Sequence, residues 1–256
     1  MARMVIPRGM SCRVARQIVG PAVSIVALAA LLLALLVPTP AAPQSARAAA
    51  QPTSAPGGFF KAITRDDEGD VRVYLLRGTS VSARDPAGTP ALVLAASERA
   101  FKVVRTFLAI PGTAIDVTNR ANETALMYAA LHGSVETAEL LMEKGAEVNR
   151  TGWTPLHYAA AGGHEAMVGL LIERHAYIDA ESPNRTTPLM LAARQKHEPV
   201  VRLLVAAGAD PTVRNSAGLG AADYAQRSDN KALADWLRAK SVEFNARYRP
   251  GGTVRR

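Results

Sequence analysis

Two kinds of short apolar segment alternate along the chain. An alanine-rich segment such as "TPLHYAAAGGH", from Thr154, is followed by one such as "EAMVGLLIERH", in which apolar residues recur at helical spacing. That spacing predicts a helix with a single apolar stripe. Several of the second segments are followed by a glycine, which suits the left-handed residue that ends a helix; these glycines are Gly78, Gly112, Gly145 and Gly208. The pattern therefore predicts pairs of short helices joined by turns.

The helix pair recurs in register. Copies of the first segment begin at Pro90, Thr124, Thr154, Thr187 and, in a degenerate form, Gly220. The alanines five residues after these starts lie 34, 30, 33 and 33 residues apart, at Ala95, Ala129, Ala159, Ala192 and Ala225. One helix pair is too thin to bury its own apolar face, so neighbouring pairs must stack to make a core.

These segments resemble the ankyrin repeat, which has a threonine-proline-leucine-histidine signature and a period near 33 residues. The resemblance covers residues 57–240. It implies an all-α repeat solenoid of stacked helix-turn-helix units with β-hairpin fingers. The implied units are a degenerate cap at 57–89, repeats at 90–123, 124–153, 154–186 and 187–219, and a second degenerate cap at 220–240.

The signature residues have structural explanations. Thr154 and Thr187 can cap the first helix of their repeats with their hydroxyl groups, and a proline suits the position that follows. The resemblance implies that His157 hydrogen-bonds locally and ties the hairpin to the helix. His164 and His197, at the turn into the second helix, are also interpreted as structural. The predicted structural set is Thr154, Pro155, Leu156, His157, Thr187, Pro188, Leu189, Gly145 and Gly208.

The repeats depart from a uniform pattern at three places. The hairpin from Gly145 to Thr154 spans nine residues, whereas the others span twelve. Repeat 90–123 has one extra residue, which predicts a bulge in its second helix near Ile110. His175 stands where other repeats place a capping glycine, and a left-handed conformation would cost it roughly 1 kcal/mol or more.

The resemblance implies that the array binds another protein through its hairpin tips and the inner face of its first helices. Trp153 lies beside the shortened hairpin, where it is either an anchor for a partner or a plug for the gap. Trp236 falls on the last apolar stripe and is predicted to be core. The residues predicted to contact the partner, which the sequence does not identify, are Glu123, Met127, Leu131, His132, Trp153, Ala161, Met190, Arg194 and Gln195.

The N-terminal segment differs from the repeats. Its first twenty residues carry four arginines and no acid, residues 22–37 are apolar except for Ser24, and Ala48 and Ala50 form an A-x-A site. This order is typical of a cleavable export signal. We therefore predict a signal peptide over residues 1–50, a linker over 51–56, and a periplasmic or secreted mature chain.

An uncleaved inner-membrane anchor at residues 22–37 is the alternative. Sixteen helical residues would span roughly 24 Å, short of a hydrocarbon core of roughly 30 Å.

If the signal is cleaved, Cys12, the only cysteine, is removed with it. The mature chain would then contact no membrane and hold no disulfide.

The net charge of +8 does not indicate a nucleic-acid partner. Residues 1–50 hold five arginines and no acid, and residues 246–256 hold four more, which leaves 21 basic and 22 acidic residues between them. A nucleic-acid binder concentrates positive charge on the face that meets phosphate. We therefore expect no nucleic-acid partner, and we predict a basic flexible tail at 241–256.

No catalytic motif occurs in the chain. It has no HExxH, GxSxG, phosphate-cradling glycine loop or paired carboxylates, and its histidines recur along the repeats rather than converging as a zinc site requires. We expect no catalytic, cofactor-binding or metal-binding residues. The leading hypothesis is an exported, non-catalytic scaffold of bacterial type that binds another protein. The alternatives are an anchored adaptor facing the periplasm and an enzyme with an unrecognised site.

Overall fold

The computed structural model describes residues 55–249, so the predicted signal at 1–50 and most of the linker lie outside the described residues. Within that range the chain forms twelve helices. They are α1 (Gly57–Thr64), α2 (Glu68–Leu76), α3 (Ala91–Ser97), α4 (Phe101–Leu108), α5 (Ala125–His132), α6 (Val135–Glu143), α7 (Pro155–Gly162), α8 (Glu165–Glu173), α9 (Pro188–Arg194), α10 (Glu198–Ala206), α11 (Ala221–Arg227) and α12 (Lys231–Tyr248).

The helices form two layers. Each odd-numbered helix packs on the next odd-numbered one, from α1 to α11, and makes what we call the first-helix layer. The even-numbered helices from α2 to α10 pack in the same order as the second-helix layer, and α12 packs on α11. The all-α repeat solenoid predicted from the sequence is confirmed.

One continuous core runs through the stack, from Phe59 in α1 to Leu237 in α12. The paired alanines of the signature, such as Ala129 and Ala130, are completely buried. A methyl side chain lets neighbouring first helices approach closely, and each repeat completes its apolar surface only against the next. Stability therefore comes from the interfaces between repeats.

The fingers between repeats are tight turns. Among residues 55–249, strand-like pairing is confined to an isolated bridge between Arg84 and Pro90. Aspartates link successive turns instead: the backbone amide of Glu147 donates to Asp116 at 3.1 Å, and that of Asp210 donates to Asp179 at 3.0 Å. Burial raises the pKa of Asp179 above its usual value, because a charged carboxylate loses hydration there.

Left-handed residues mark the same three places in successive repeats. Those after the first helices are Asp66, Arg99, Gly133, Gly163, Lys196 and Asp229. Those after the second helices are Gly78, Gly112, Gly145, His175 and Gly208, and those at the finger tips are Gly88, Asn122, Gly152, Arg185 and Gly218. His175 has φ 62°, which confirms the left-handed conformation expected for it.

These markers locate the irregular repeats. Gly145 and Gly152 are seven residues apart, whereas the other finger pairs are ten apart, so the three missing residues belong to this finger. The extra residue of repeat 90–123 does not bulge its second helix, which corrects the prediction. Helix α4 ends at Leu108, and the turn before Gly112 absorbs the insertion because a turn can lengthen without breaking helical hydrogen bonds.

The C-terminal end also differs from the prediction. Helix α12 continues to Tyr248, so residues 241–248 are helical rather than a flexible tail. The Ser241 hydroxyl donates to the carbonyl oxygen of Pro211 at 3.2 Å, and the Arg249 guanidinium pairs with Asp210 at 3.0 Å. These contacts hold the extension against the turn that follows α10.

Among residues 55–249, no helix combines the length and the apolar character needed to cross a membrane.

Replacing His175 by glycine should raise the free energy of unfolding by about 1 kcal/mol, because glycine adopts the left-handed conformation without strain. The His175 side chain is exposed, and its carbonyl, which accepts from Asn149 at 2.8 Å, is kept in the variant. Urea denaturation measures the gain. Gly208→Ala, at the equivalent position with φ 102°, is the control and should lose stability. An unchanged midpoint for His175→Gly would show that the imidazole of His175 makes a contact that stabilises the fold by as much as the left-handed strain destabilises it.

Candidate functional site

We call the surface formed by the finger turns and the exposed side of the first helices the inner face. Seven of the nine residues predicted to contact a partner are accessible there. Arg194 and Gln195 are exposed, and the half-buried ones are Glu123, Leu131, His132, Trp153 and Ala161.

Met127 and Met190 are the exceptions and correct the prediction, because each is only 1 % exposed. Both occupy the fourth place of the signature, which His157 takes in the repeat between them, at 0 % exposure. Side chains at this place point into the stack, one helical turn after the capping threonine. They support the inner face from below and do not reach its surface.

A cluster around Glu123 joins three successive repeats, 90–123, 124–153 and 154–186. One Glu123 carboxylate oxygen accepts from the Asn119 amide at 2.7 Å and from the Tyr128 hydroxyl at 2.5 Å. The other accepts from the Tyr158 hydroxyl at 2.6 Å, across the interface between α5 and α7. Sequence reasoning singled out Glu123 but missed both tyrosines. The available signal was a tyrosine at the fifth place of three copies, Tyr128, Tyr158 and Tyr224.

The cluster has fixed protonation states. Burial acts to raise the pKa of Glu123, but the hydrogen bonds from Asn119, Tyr128 and Tyr158 outweigh it and hold that pKa below its usual value. Burial, with the bond to Glu123 and its charge, raises the pKa of Tyr128 to about 12 and also raises that of Tyr158. At neutral pH a carboxylate is therefore held by two phenols, which fixes the tyrosine rings in place.

Aromatic rings continue along the inner face from this cluster. The Tyr128 ring lies 6.4 Å from that of Tyr158 and 6.5 Å from that of His132, and the His132 ring lies 6.5 Å from that of Phe101. His132, predicted from the sequence to contact a partner, is held in place because its Nε2 bonds the carbonyl oxygen of Ser97 at 3.0 Å. We call Phe101, His132, Tyr128 and Tyr158 the aromatic strip.

Trp153 stands at the end of the shortened finger. Its indole meets the buried His157 ring edge to face, with centroids 5.2 Å apart. The indole is half-buried, so part of its surface remains accessible from the inner face. The indole therefore covers the ring of His157 and still offers a contact surface. Trp153 thus combines features of the two roles considered from the sequence, the anchor for a partner and the plug for the gap. Trp236 is also half-buried, which corrects its prediction as core.

The same repeat has the smallest side chains on the inner face. Ala161 and Gly162 occupy the places that hold Leu131 and His132 in the preceding repeat. A Cβ atom on Gly162 would lie 2.6 Å from the Leu131 carbonyl oxygen, so α5 and α7 approach as closely as their backbones allow. Small residues at these two places and a short finger distinguish this repeat from its neighbours, which carry Leu131 and His132 on one side and Arg194 and Gln195 on the other.

The histidines of the repeats hold the stack together. His157 bonds the Thr154 hydroxyl through Nδ1 at 2.9 Å and the Thr186 carbonyl of the next finger through Nε2 at 2.9 Å. Burial lowers its pKa to about 4, so it is neutral at physiological pH and presents no free nitrogen. His164 and His197 bond the carbonyl oxygens of Leu131 and Ala161, at 2.9 and 3.0 Å, in the preceding repeats.

Within residues 55–249, no three histidine, aspartate or glutamate side chains are grouped so that they could hold a metal ion. What the inner face offers instead is recognition chemistry: fixed aromatic rings, one half-buried indole and the exposed Arg194 guanidinium.

Comparison with known proteins supports the repeat assignment. A family model described as ankyrin repeats (3 copies) matches residues 59–152, 92–182 and 149–215. The chain is 34 % identical over 145 residues to the nuclear factor NF-kappa-B p105 subunit of Mus musculus, across 54 % of the chain and 15 % of that protein. It is 32 % identical over 152 residues to the B-cell lymphoma 3 protein homolog of Mus musculus, across 57 % of the chain and 34 % of that protein.

A putative ankyrin repeat-containing protein of Treponema pallidum is 27 % identical over 163 residues, across 64 % of the chain and 45 % of that protein. The match thus spans less than half of each of these three relatives.

Proposed function

Because the chain belongs to the ankyrin-repeat family, we propose that it is a non-catalytic scaffold that binds another protein through its inner face. Ankyrin repeats imply a protein partner. The observation that carries the proposal is the set of accessible side chains on the inner face: the half-buried Trp153, the aromatic strip fixed by Glu123, and the exposed Arg194. Aromatic and arginine side chains at the centre of a surface are the groups that most often dominate the energy of protein association.

The proposed contact set is smaller than the sequence predicted and includes one residue that it missed, Tyr158. It consists of Leu131, His132, Trp153, Tyr158, Ala161, Arg194 and Gln195. Glu123 contributes by fixing the tyrosines. Met127 and Met190 lie beneath the surface.

His157 and Glu123, a histidine and a carboxylate with lowered pKa values, both make structural hydrogen bonds. His157 is neutral and enclosed, and both Glu123 oxygens are occupied by hydroxyl or amide donors. Neither is placed to exchange a proton with a substrate.

We further propose that the scaffold is exported. The arginine-rich start, the apolar run at 22–37 and the A-x-A site support a cleaved signal. Mass spectrometry of the N-terminus decides this part. A chain that begins near Gln51 supports a periplasmic or secreted scaffold, whereas an intact start supports an inner-membrane-anchored adaptor that faces the periplasm.

Trp153→Ala should weaken binding of the partner by about 2 kcal/mol or more, because it removes a central aromatic contact. The free energy of unfolding should fall by only about 1 kcal/mol, the value of one edge-to-face aromatic pair. Isothermal titration and urea denaturation measure the two effects, on a partner recovered by cross-linking through the inner face. Tyr177→Ala, which removes a 69 % exposed aromatic outside the contact set, is the control.

Fluorescence tests the same point before a partner is known. In a Trp236→Phe variant, Trp153 is the sole indole. Emission that acrylamide quenches readily agrees with an accessible anchor. Blue-shifted emission that acrylamide does not reach would make Trp153 a plug and would remove it from the contact set.

A further inference from the structure

A concave surface lies on the layer opposite the inner face, between α10 and α12. Helix α12 has 18 residues whereas α10 has 9, so the last turns of α12 extend beyond its neighbour. The cavity beside this extension has a volume of about 370 Å³, within the range of sites that hold a side chain or a small ligand. We call it the C-terminal groove. Its main lining residues are Arg202, Val205, Trp236, Lys240, Phe244 and Tyr248.

The floor of the C-terminal groove is aromatic and the rim is cationic. The Arg202 guanidinium lies 4.7 Å from the centre of the Trp236 ring, and the Lys240 ammonium lies 5.9 Å from it. Arg247 lies 5.3 Å from the centre of the Tyr248 ring. A cation held over an aromatic face already has a defined position, so its side chain loses little conformational entropy when a partner binds.

The rim retains positive charge after its internal pairs are counted. Arg202 pairs with Glu198 and Lys240 pairs with Glu243, each at 2.6 Å. Arg247 has no acidic partner among residues 55–249. With Glu198 counted, the groove has three basic residues, Arg202, Lys240 and Arg247, against two acids, Glu198 and Glu243, and one net positive charge remains.

The charge and shape of the C-terminal groove indicate what kind of segment it can bind. A positive rim disfavours the chain's own last residues, which include Arg255 and Arg256 and no acidic side chain. A recessed aromatic floor suits an apolar side chain that enters the cavity, while carboxylates on either side of it meet the rim. A flat surface would not fill the recess.

We propose that the C-terminal groove docks an acidic peptide segment of a partner protein, with an aromatic or aliphatic side chain inserted against Trp236 and Phe244. This site lies on the second-helix layer. Its failure would leave the proposed function of the inner face untouched.

The test uses the full chain, kept soluble in a mild non-ionic detergent, and a dye-labelled hexapeptide of four glutamates with a central phenylalanine and leucine. Fluorescence anisotropy measures its binding. We expect saturable binding below about 1 mM that weakens as salt is raised. A peptide with lysines in place of the glutamates should not compete.

The decisive variant is Arg202→Gln with Arg247→Gln, which should weaken binding of the acidic peptide about tenfold or more. The matched control, Arg174→Gln with Arg238→Gln, removes the same charge from exposed positions outside the groove and should change binding less than about twofold. Phe244→Ala keeps every charge and should also weaken binding.

Several results would overturn the proposal. These are the absence of saturable binding, equal binding of the lysine peptide, or equal loss in the groove and control variants. Circular dichroism checks that the variants are folded. Should the groove variant unfold, the comparison of the two peptides on the unchanged chain still decides the matter.

Discussion

Gly162→Ala should destabilise the repeat domain by about 2 to 3 kcal/mol, although alanine is the better helix former. The added Cβ atom would lie 2.6 Å from the Leu131 carbonyl oxygen and 2.7 Å from the His164 ring. A carbonyl of a packed helix cannot move aside alone, so α5 and α7 must separate. That separation would lengthen the bond between His164 Nε2 and the Leu131 carbonyl, now 2.9 Å.

Gly169→Ala is the matched control in the second helix of the same repeat. Nothing lies within 4 Å of a Cβ atom at Gly169. The variant should therefore gain about 0.5 to 1 kcal/mol from helix propensity alone. Urea denaturation of both variants measures the difference. If both substitutions shifted stability in the same direction, the close approach of α5 and α7 would be wrong.

Acidification should lower the free energy of unfolding of the domain by about 3 kcal/mol through His157 alone, since one pKa unit is worth about 1.4 kcal/mol. Burial lowers its pKa from 6.5 to about 4 in the folded chain. As the pH falls below 6.5 the unfolded chain takes up this proton first. The contribution is therefore fully present above that pH and is lost as the pH falls towards 4.

Other groups titrate in the same window, so the effect is measured as a difference. His157→Gln keeps an amide donor for the Thr186 carbonyl but does not titrate. Its free energy of unfolding should be lower than that of the unchanged chain at pH 7, and the gap should close as the pH approaches 4. A gap that stayed constant would show that His157 is not the buried neutral group described above.

The order of the helices could be predicted from the sequence because each repeat uses the same residues for the same local purpose. Thr124 and Thr187 cap their helices through bonds to the amides of Met127 and Met190, each at 3.4 Å. Such contacts join residues three positions apart, so the sequence of a single repeat is enough to indicate them. The same residues recur in register in the other repeats, which strengthens the prediction.

The candidate site was harder to predict because its contacts join different repeats. The bond between Tyr158 and Glu123 links residues 35 positions apart, and neither residue belongs to the signature. Met127 and Met190 were misplaced since the resemblance gives a position along the repeat but not the direction of each side chain. The extension of α12 was missed because its polar sequence gains stability from contacts with the distant turn at Asp210 and Pro211.

Cross-linking in the native cell tests the central claim most directly. A photoreactive amino acid is placed at Leu131 or at Arg194 on the inner face, and at the exposed Glu143 on α6 as the control. If the chain is a scaffold that binds through its inner face, one and the same protein should cross-link from Leu131 and from Arg194, and not from Glu143. A partner that cross-links from Glu143 as efficiently as from the two inner positions, or no protein cross-linked from either inner position, would contradict it.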